Sequence, residues 1–466
     1  MSDNSLMDKD AYIEQLEKEN AELKRRIEEL ERLLEMNSKN SSKPPSSDPP
    51  HICATLPRRR GKKRGAKNGH QAHLKELLPQ EMVKEHFDLK PDVCPCGGTT
   101  FEKTSEEPLR HQIIDIPPIE PEVIEYVQPI YRCHACGELV YKPLPDEVKR
   151  KHFGPGVLAL VAVLTGMLNT SKRKALAMIN EVFLVPMSLG GLSHCEAQLA
   201  QALEEPYHET MAYVREQDVT HADETGWRRG NRQRGWLWAL CCGGAAVFMI
   251  HAERGQKAAR KLLSAFCGVL VSDRWGGYNF FRGVRQICWA HLKRDFKAIS
   301  EAQDALGRIG GELYGLAMKI LKLRKRVRDG TLQWPTFQRR MVPLMKRVEA
   351  LLEEGARSKC VLSGKCRRIL KHRDHLWTFV HDPHVEPTNN RAERIVRQGV
   401  LWRKSSFGTQ SERGARYVER ILTVCATCRL QGRSVIEYLR DACRCHLSGA
   451  SAPPLVKTTD NSAQAA

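Results

Sequence analysis

The chain has 466 residues, and its 74 lysines and arginines against 55 aspartates and glutamates give a formal net charge of +19. This length exceeds what one hydrophobic core organises and predicts about two to four domains. The basic excess favours a polyanionic partner such as nucleic acid, although a basic protein without such a partner would have the same composition.

The composition also argues against membrane-spanning and secreted proteins. The longest apolar run, residues 157–168, is too short to cross a bilayer. Residues 1–9 are polar, unlike a signal peptide. The chain has 16 cysteines, and without a secretion signal they favour reduced thiols and a metal site over disulfides. We therefore expect a cytoplasmic protein that engages no membrane.

The first segment carries a heptad pattern that predicts a coiled coil over residues 1–36. Its seam positions alternate spacings of three and four residues: Ile13, Leu16, Asn20, Leu23, Ile27, Leu30 and Leu34. A buried asparagine such as Asn20 favours a dimer in one register. An amphipathic helix docked on its own protein is the alternative. Residues 37–69, rich first in serine and proline and then in basic residues, predict a disordered linker that contacts phosphates or is only a solvated tether.

Two cysteine pairs, each followed by glycine, predict a zinc-ribbon-like domain over residues 70–148. The pairs are Cys94 with Cys96 and Cys133 with Cys136. Four thiolates are a tetrahedral Zn²⁺ shell, and surface loops with reactive thiols are the alternative. Residues 149–215 have a helical pattern with a break at Pro186. This pattern fits a helix-turn-helix DNA reader and fits ordinary helical packing equally well.

Two apolar strands that end in aspartates are the centre of the sequence. Residues 219–223 end at Asp223, after which Thr225 and Gly226 are expected to turn the chain, and residues 268–273 end at Asp273. Between them lie a hairpin around residues 243–244 and a helix over residues 255–266, and a further helix and strand follow. This ribonuclease-H-like order places the first and fourth strands side by side, with the two aspartates as neighbours.

A third acid, Glu393, lies in a helix that Asn389 is expected to cap. Two strand-borne aspartates and a helix-borne glutamate are ligands typical of hard divalent cations in phosphoryl transfer. Two other acids compete for these roles. Glu224 is expected to point to the opposite face of its strand, and Glu386 precedes a proline and so favours an extended loop. A second zinc site or core packing would account for Cys425, Cys428, Cys443, Cys445 and His446. Core packing is favoured, because Cys425 and Cys428 lie three residues apart on an apolar helix.

Six motifs, in order along the chain, resemble those of DDE transposases of the insertion sequence 66 (IS66) family. They are NSSKPPSSD at 40–48, HADET at 221–225, SDRWGGY at 272–278, CWAH at 288–291, NNRAER at 389–394, and Arg403 with Lys404. The family has two residues between the first two cysteines, whereas Pro95 alone separates Cys94 from Cys96 here. A one-residue spacing still permits zinc, and His134 could substitute as a ligand.

The resemblance implies an enzyme that cuts the 3′ ends of an insertion sequence and joins them to target DNA. The catalytic residues would be Asp223, Asp273 and Glu393, which would hold two Mg²⁺ (or Mn²⁺) ions about 4 Å apart. DNA-binding residues would be His291, Arg394, Arg397, Arg403 and Lys404, although His291 fits a packed structural histidine as well. The expected partners are double-stranded DNA, further copies of the chain and accessory proteins of the same element, in the nucleoid of a bacterium.

The predicted fold is multidomain α/β, a ribonuclease-H-like catalytic domain with a helical insertion. The predicted segments are the coiled coil (1–36), linker (37–69), zinc-ribbon-like domain (70–148), helical DNA-binding domain (149–215), catalytic domain (216–300 and 386–448), helical insertion (301–385) and disordered tail (449–466). A domesticated DNA-binding protein without catalysis, or a nuclease on the same fold, would carry many of the same features.

Overall fold

The computed structural model describes residues 4–35, 76–145, 148–149, 151–231, 233–360 and 362–456. The linker predicted over residues 37–69 lies outside them. The chain divides into two compact units, residues 55–122 and residues 1–54 together with 123–466. In the first unit, the described part has no α-helix or β-strand and contains one 3-10 turn, Gln80–Met82, and a hydrogen-bonded turn at residues 94–98.

The second unit contains every α-helix and β-strand of the described chain. Its strands are β1 (Tyr131–Arg132), β2 (Leu139–Val140), β3 (Val219–Arg229), β4 (Gln233–Cys241), β5 (Ala246–His251), β6 (Val269–Ser272) and β7 (Arg285–Ile287). Its helices are α1 (Asn4–Glu35), α2 (Pro155–Ala162), α3 (Lys172–Glu181), α4 (Leu189–Ala202), α5 (Glu204–Arg215), α6 (Gln256–Leu263), α7 (Trp289–Ser300), α8 (Ala305–Arg328), α9 (Trp334–Arg357), α10 (Ser363–Leu370), α11 (Thr378–His381), α12 (Asn390–Ser406), α13 (Glu412–Leu430) and α14 (Val435–Ser448).

Helix α1 carries the heptad stripe on its surface. Its apolar seam side chains are exposed, from 46% at Leu16 to 81% at Leu34. An apolar stripe in contact with water costs free energy, and a partner helix would remove that cost. Oligomerisation through α1 stays a prediction.

The central sheet has the strand order β5-β4-β3-β6-β7. Strands β3, β4 and β5 are antiparallel, while β6 runs parallel to both β3 and β7. His221 pairs with Val271, so the strands that carry the two aspartates are adjacent. The prediction that the first and fourth strands lie side by side is therefore confirmed.

Two local predictions about this sheet were wrong. Strand β3 does not turn at Thr225 and Gly226 but continues to Arg229, pairing with β4 along its length. Trp227 explains the extension, because its side chain is 2% exposed and the strand must continue to bury it. Between β6 and β7 the chain forms only a short 3-10 turn, Gly276–Tyr278, and not the expected helix.

Helices cover both faces of the sheet and extend one end of it. One core joins α2, α4, α12, α13 and α14 to side chains of β4 and β5. A second core joins α7 to α8, α9 and α10, which follow it in the chain. A third packs α6 against the opposite face of the sheet. Cys425, Cys428 and Cys443 are buried in the first core, as the preference for core packing predicted.

The prediction that a disordered tail begins at residue 449 was wrong. Leu455 and Val456 are buried, at 0% and 7% exposure, within the hydrophobic cores. Backbone oxygens of this segment accept hydrogen bonds from side chains of α14 and the preceding loop, including Tyr438 to Pro453 at 2.9 Å and Gln431 to Leu455 at 3.1 Å. The two buried apolar side chains and these hydrogen bonds hold residues 453–456 against the hydrophobic cores. Among the described helices, none has the length and apolar character needed to cross a lipid bilayer.

Candidate active site

Asp223 and Asp273 lie at the centre of the sheet on adjacent strands. Asp223 is within β3, and Asp273 directly follows β6, where its Oδ1 accepts a 2.9 Å hydrogen bond from the backbone of Trp275. The pKa of Asp223 is raised to about 8, first by burial and then by the charges of Glu224, Asp273 and Glu393. Asp223 thus lies close enough to Asp273 and Glu393 for their negative charges to act on it.

Glu393 occupies the first turn of α12, facing α7. Its Oε1 lies 3.6 Å from Nδ1 of His291, and both atoms are buried without a hydrogen-bond partner in the described chain. An unsatisfied buried carboxylate oxygen costs free energy unless a cation or water occupies the space beside it. A group of mutually repelling carboxylates with an orphaned oxygen therefore fits a divalent cation.

Cys288, His291 and Glu393 also form a compact group, with one potential ligand atom from each lying within 4.8 Å of the others. Burial raises the pKa of the Cys288 thiol to about 11, and its sulfur accepts a 3.1 Å hydrogen bond from the backbone of Asn389. The Cys288 sulfur is thus buried and already accepts a hydrogen bond, whereas Oε1 of Glu393 and Nδ1 of His291 have no hydrogen-bond partner in the described chain.

Asn389 joins the elements that carry the acids. It occupies the N-cap position of α12 and is buried, but its side chain makes no capping bond, so the predicted capping role was wrong. Its amide nitrogen instead donates to the oxygen of Ala222 at 2.8 Å, and its Oδ1 lies 3.2 Å from Nδ1 of His221. Since the amide nitrogen is committed to Ala222, Oδ1 is the acceptor, and His221 carries its proton on Nδ1.

Glu224 is held away from a ligand role. One carboxylate oxygen accepts from Arg254 at 2.9 Å and the other from the Tyr278 hydroxyl at 2.9 Å. Arg254 also lies over the rings of Trp236 and Trp275, 4.8 Å from each centroid. Glu224 is thus part of a structural network on the α6 face, in agreement with its predicted orientation.

Glu386, the other rival acid, lies in the non-helical segment that precedes α12. Arg324 organises this segment by donating to the oxygens of Pro383 at 2.6 Å and Val385 at 3.4 Å. The charge of Glu386 acts on Arg324, whose pKa burial nevertheless lowers. Glu386 therefore faces a structural arginine of α8.

A cleft of about 560 Å³ opens beside Asp273 and His291. Its lining is mainly basic: Arg254, Arg274, Arg294, Lys365 and Arg368, with Trp275, Ala298 and Asp295. Reasoning from the sequence did not select these cations, although Arg274 directly follows Asp273 and Arg294 lies three residues after His291. The burial of His291 lowers its pKa, and the positive charge of Arg294 lowers it further.

The basic residues predicted to bind DNA differ in their surroundings. Arg394, Arg397 and Lys404 are exposed along α12. Arg403 is half-buried and donates to the backbone oxygen of Gly226 in β3. Its guanidinium therefore already has a partner within the chain, which anchors α12 to β3.

The cysteine pairs form two similar turns, one in each unit. Gly97 and Gly137 have φ values of +91° and +78°, a conformation that strongly favours glycine. Backbone N–H groups in these turns donate to the thiols and lower the pKa of Cys96, chiefly through Gly98, and of Cys133, chiefly through Cys136. A lowered thiol pKa favours the thiolate that Zn²⁺ binds. Each turn therefore has the chemistry of a zinc knuckle.

Comparison with known proteins decides the family. The family model described as "Transposase IS66 family" matches residues 150–417, more than half of the chain and all of the candidate site. The chain belongs to the IS66 transposase family. The zinc-finger binding domain of transposase IS66 matches residues 78–137, which include all four cysteines, and a family of unknown function matches residues 3–76.

Two curated relatives of this transposase family member come from Sinorhizobium fredii. Uncharacterized protein y4hP is 23% identical over 407 residues, which cover 79% of this chain and 73% of that protein. Uncharacterized protein y4qI is 26% identical over 262 residues, covering 48% of this chain and 47% of that protein. Neither name states an activity, so the reaction must be argued from the site.

Proposed function

We propose that this IS66 family protein is a DNA transposase that cuts the 3′ ends of an insertion sequence and joins them to target DNA. The observation that carries the proposal is the meeting of Asp223, Asp273 and Glu393 around adjacent parallel strands and the first turn of α12. The strand order β5-β4-β3-β6-β7 supports a ribonuclease-H-like catalytic domain, with α8–α11 as its helical insertion.

Asp223, Asp273 and Glu393 would hold two Mg²⁺ or Mn²⁺ ions, since carboxylate oxygens are the ligands that hard cations prefer. Bound cations would also offset the repulsion between the carboxylates. Bound cations would activate a water or 3′-hydroxyl and stabilise the leaving oxygen of an in-line displacement. Glu393 would present its unpartnered Oε1 to this site, and His291 would position DNA beside it. The site needs no serine or tyrosine nucleophile.

Exposed cations on α12 would guide the DNA backbone toward the carboxylates. Arg394 and Arg397 follow Glu393 by one and four residues, and Lys404 extends the series. Arg403 would support this surface through its bond to Gly226. Cys94, Cys96, Cys133 and Cys136 would hold a structural Zn²⁺, and the helices over residues 155–215 would bind the ends of the element. Two DNA ends require at least two copies of the chain, which α1 would join.

The proposal is tested with purified protein, Mg²⁺ and a plasmid that carries the element's two ends. We expect cleavage at both 3′ ends and joined products. Asp223→Asn should bind the ends and form neither product, whereas Asp218→Asn, an exposed acid just before β3, should act like wild type. Wild type that binds without cutting would indicate a domesticated DNA-binding protein, and wild type that cuts without joining would indicate a nuclease.

A further inference from the structure

The cleft beside Asp273 has a charge pattern that the three catalytic carboxylates do not require. Among the described residues, five cations and two carboxylates line it, the carboxylates being those of Asp273 and Asp295. Asp295 is paired with Arg274, and its other oxygen lies 3.9 Å from Lys365. Arg254 is committed to Glu224 at 2.8 Å. Arg254, Arg274 and Lys365 thus have acidic neighbours already, and the positive charges of the other two lining cations remain.

Arg294 and Arg368 supply that remaining charge. In the part of the chain that the structure describes, neither has an acidic group within ion-pair distance. Arg367, the residue next to Arg368, differs from both, because it donates to the backbone oxygen of Ala356 at 2.9 Å and so has a structural role. Arg294 is half-buried on α7 and Arg368 is exposed on α10. Two guanidiniums that line one cleft without acidic partners repel each other, and a bound anion would relieve that repulsion.

The cleft is continuous with the candidate active site. Asp273 and His291 line it, together with Lys365 and Arg368 of α10. A phosphodiester chain that occupied this cleft would lie beside residues of both α7 and α10. Guanidinium groups bind phosphate oxygens in two-point contacts, and they bind the backbone whatever its sequence.

We propose that Arg294 and Arg368 bind backbone phosphates of the DNA strand that leads into the active site, so that α10 of the helical insertion forms one wall of the substrate channel. This inference rests on the proposed function for the identity of the strand. Because backbone contacts release counterions, each lost contact should weaken binding and flatten its salt dependence.

The test measures the affinity of the full-length protein for a fluorescently labelled duplex of generic sequence over a series of salt concentrations. Arg294→Ala with Arg368→Ala should weaken binding and reduce the slope of log affinity against log salt by about one to two. Arg294→Lys with Arg368→Lys should retain most of the slope, because the charges remain. The matched control is Arg339→Ala with Arg340→Ala, two exposed arginines of α9 outside the cleft lining.

Equal losses in the cleft pair and the α9 pair, or no loss in either, would overturn the inference. This binding readout does not depend on catalysis. A wild type that never cuts DNA would therefore refute the proposed function while the salt slopes still decide the role of the cleft. If wild type cuts, the Arg294 and Arg368 alanine variant should also cut more slowly at subsaturating DNA. Circular dichroism melts should show that all three double variants are folded.

Discussion

The side-chain nitrogen of Asn389 donates a 2.8 Å hydrogen bond to the backbone oxygen of Ala222, the residue before Asp223. This bond ties the start of α12 to the strand of the first aspartate, and the Asn389 backbone N–H binds Cys288 at the end of the sheet. Together with the bond from Arg403 to Gly226, this buried amide fixes the position of Glu393 relative to Asp223.

Asn389→Ala should separate the helix-borne acid from the strand-borne acids. Loss of its buried side-chain bonds should lower the free energy of unfolding by about 1–3 kcal/mol. Displacement of Glu393 should slow strand cleavage on the order of 100-fold and raise the Mg²⁺ concentration needed for half-maximal rate. Asn390→Ala alters the exposed neighbouring residue and should leave both measurements near wild type. Destabilisation without a change in Mg²⁺ dependence would assign Asn389 a purely structural role.

Zinc content tests the cysteine turns. Purified protein should contain about one Zn²⁺ per chain, and replacing Cys133 and Cys136 with serine should remove it, because thiolates supply the ligands. Cys267→Ser changes an exposed cysteine outside both turns and should retain the metal. Metal analysis of protein prepared without chelators provides the measurement, and absence of zinc from wild type would refute this assignment.

The predicted oligomerisation through α1 can be tested by light scattering. Leu23→Glu with Leu30→Glu places charges in the exposed apolar stripe and should lower the molar mass of the particle, as should deletion of residues 1–36. Arg25→Glu, on the opposite face by heptad spacing, should leave the mass unchanged. A mass equal to that of wild type in the leucine variant would show that the stripe does not mediate assembly.

The buried Glu419 gives the free energy of unfolding of the second unit a defined pH dependence. Its side chain is 1% exposed and accepts from the Ile250 backbone at 2.6 Å and from Arg416 at 2.8 Å, yet burial raises its pKa above the ordinary value of 4.5. A raised native pKa means that the native state keeps the proton longer than the unfolded chain. Stability from this group is therefore present at low pH and is lost as pH rises above about 4.5 through the native pKa.

Glu419→Gln should consequently gain stability relative to wild type between pH 4.5 and neutrality, because glutamine carries no buried charge. Glu209→Gln, an exposed change on α5, should follow wild type at every pH. Urea unfolding at several pH values measures the difference. A difference that shrinks or reverses as pH rises would contradict the direction of the pKa shift.

Much of the sheet was predictable because its signals are local. Apolar runs, the glycine pair of the hairpin and the helical spacing of residues 255–266 all specify neighbours along the chain. The extent of β3 was not predictable, because it depends on the burial of Trp227 in a core that residues far along the chain complete. The same reason explains the packed segment that ends at Val456.

The acidic residues of the candidate site could be predicted from the sequence, whereas the residues around them could not. Asp223, Asp273 and Glu393 occur in recognisable motifs, whereas the bond from Asn389 to Ala222 spans 167 residues. Arg294 and Arg368 lie on separate helices, and only the packing of α10 on α7 and its neighbours brings them to one cleft. Residues that act through tertiary contacts leave little mark on local sequence.

The most direct test compares Glu393→Gln with Glu386→Gln in strand cleavage and joining with Mg²⁺. Glutamine keeps the size of glutamate but removes the charge that holds a cation. Glu393→Gln should abolish both reactions while retaining binding to the element's ends, and Glu386→Gln, altered in the loop beside Arg324, should lose much less. Joining by Glu393→Gln at a rate near that of wild type would contradict the assignment of Glu393 as the third catalytic carboxylate.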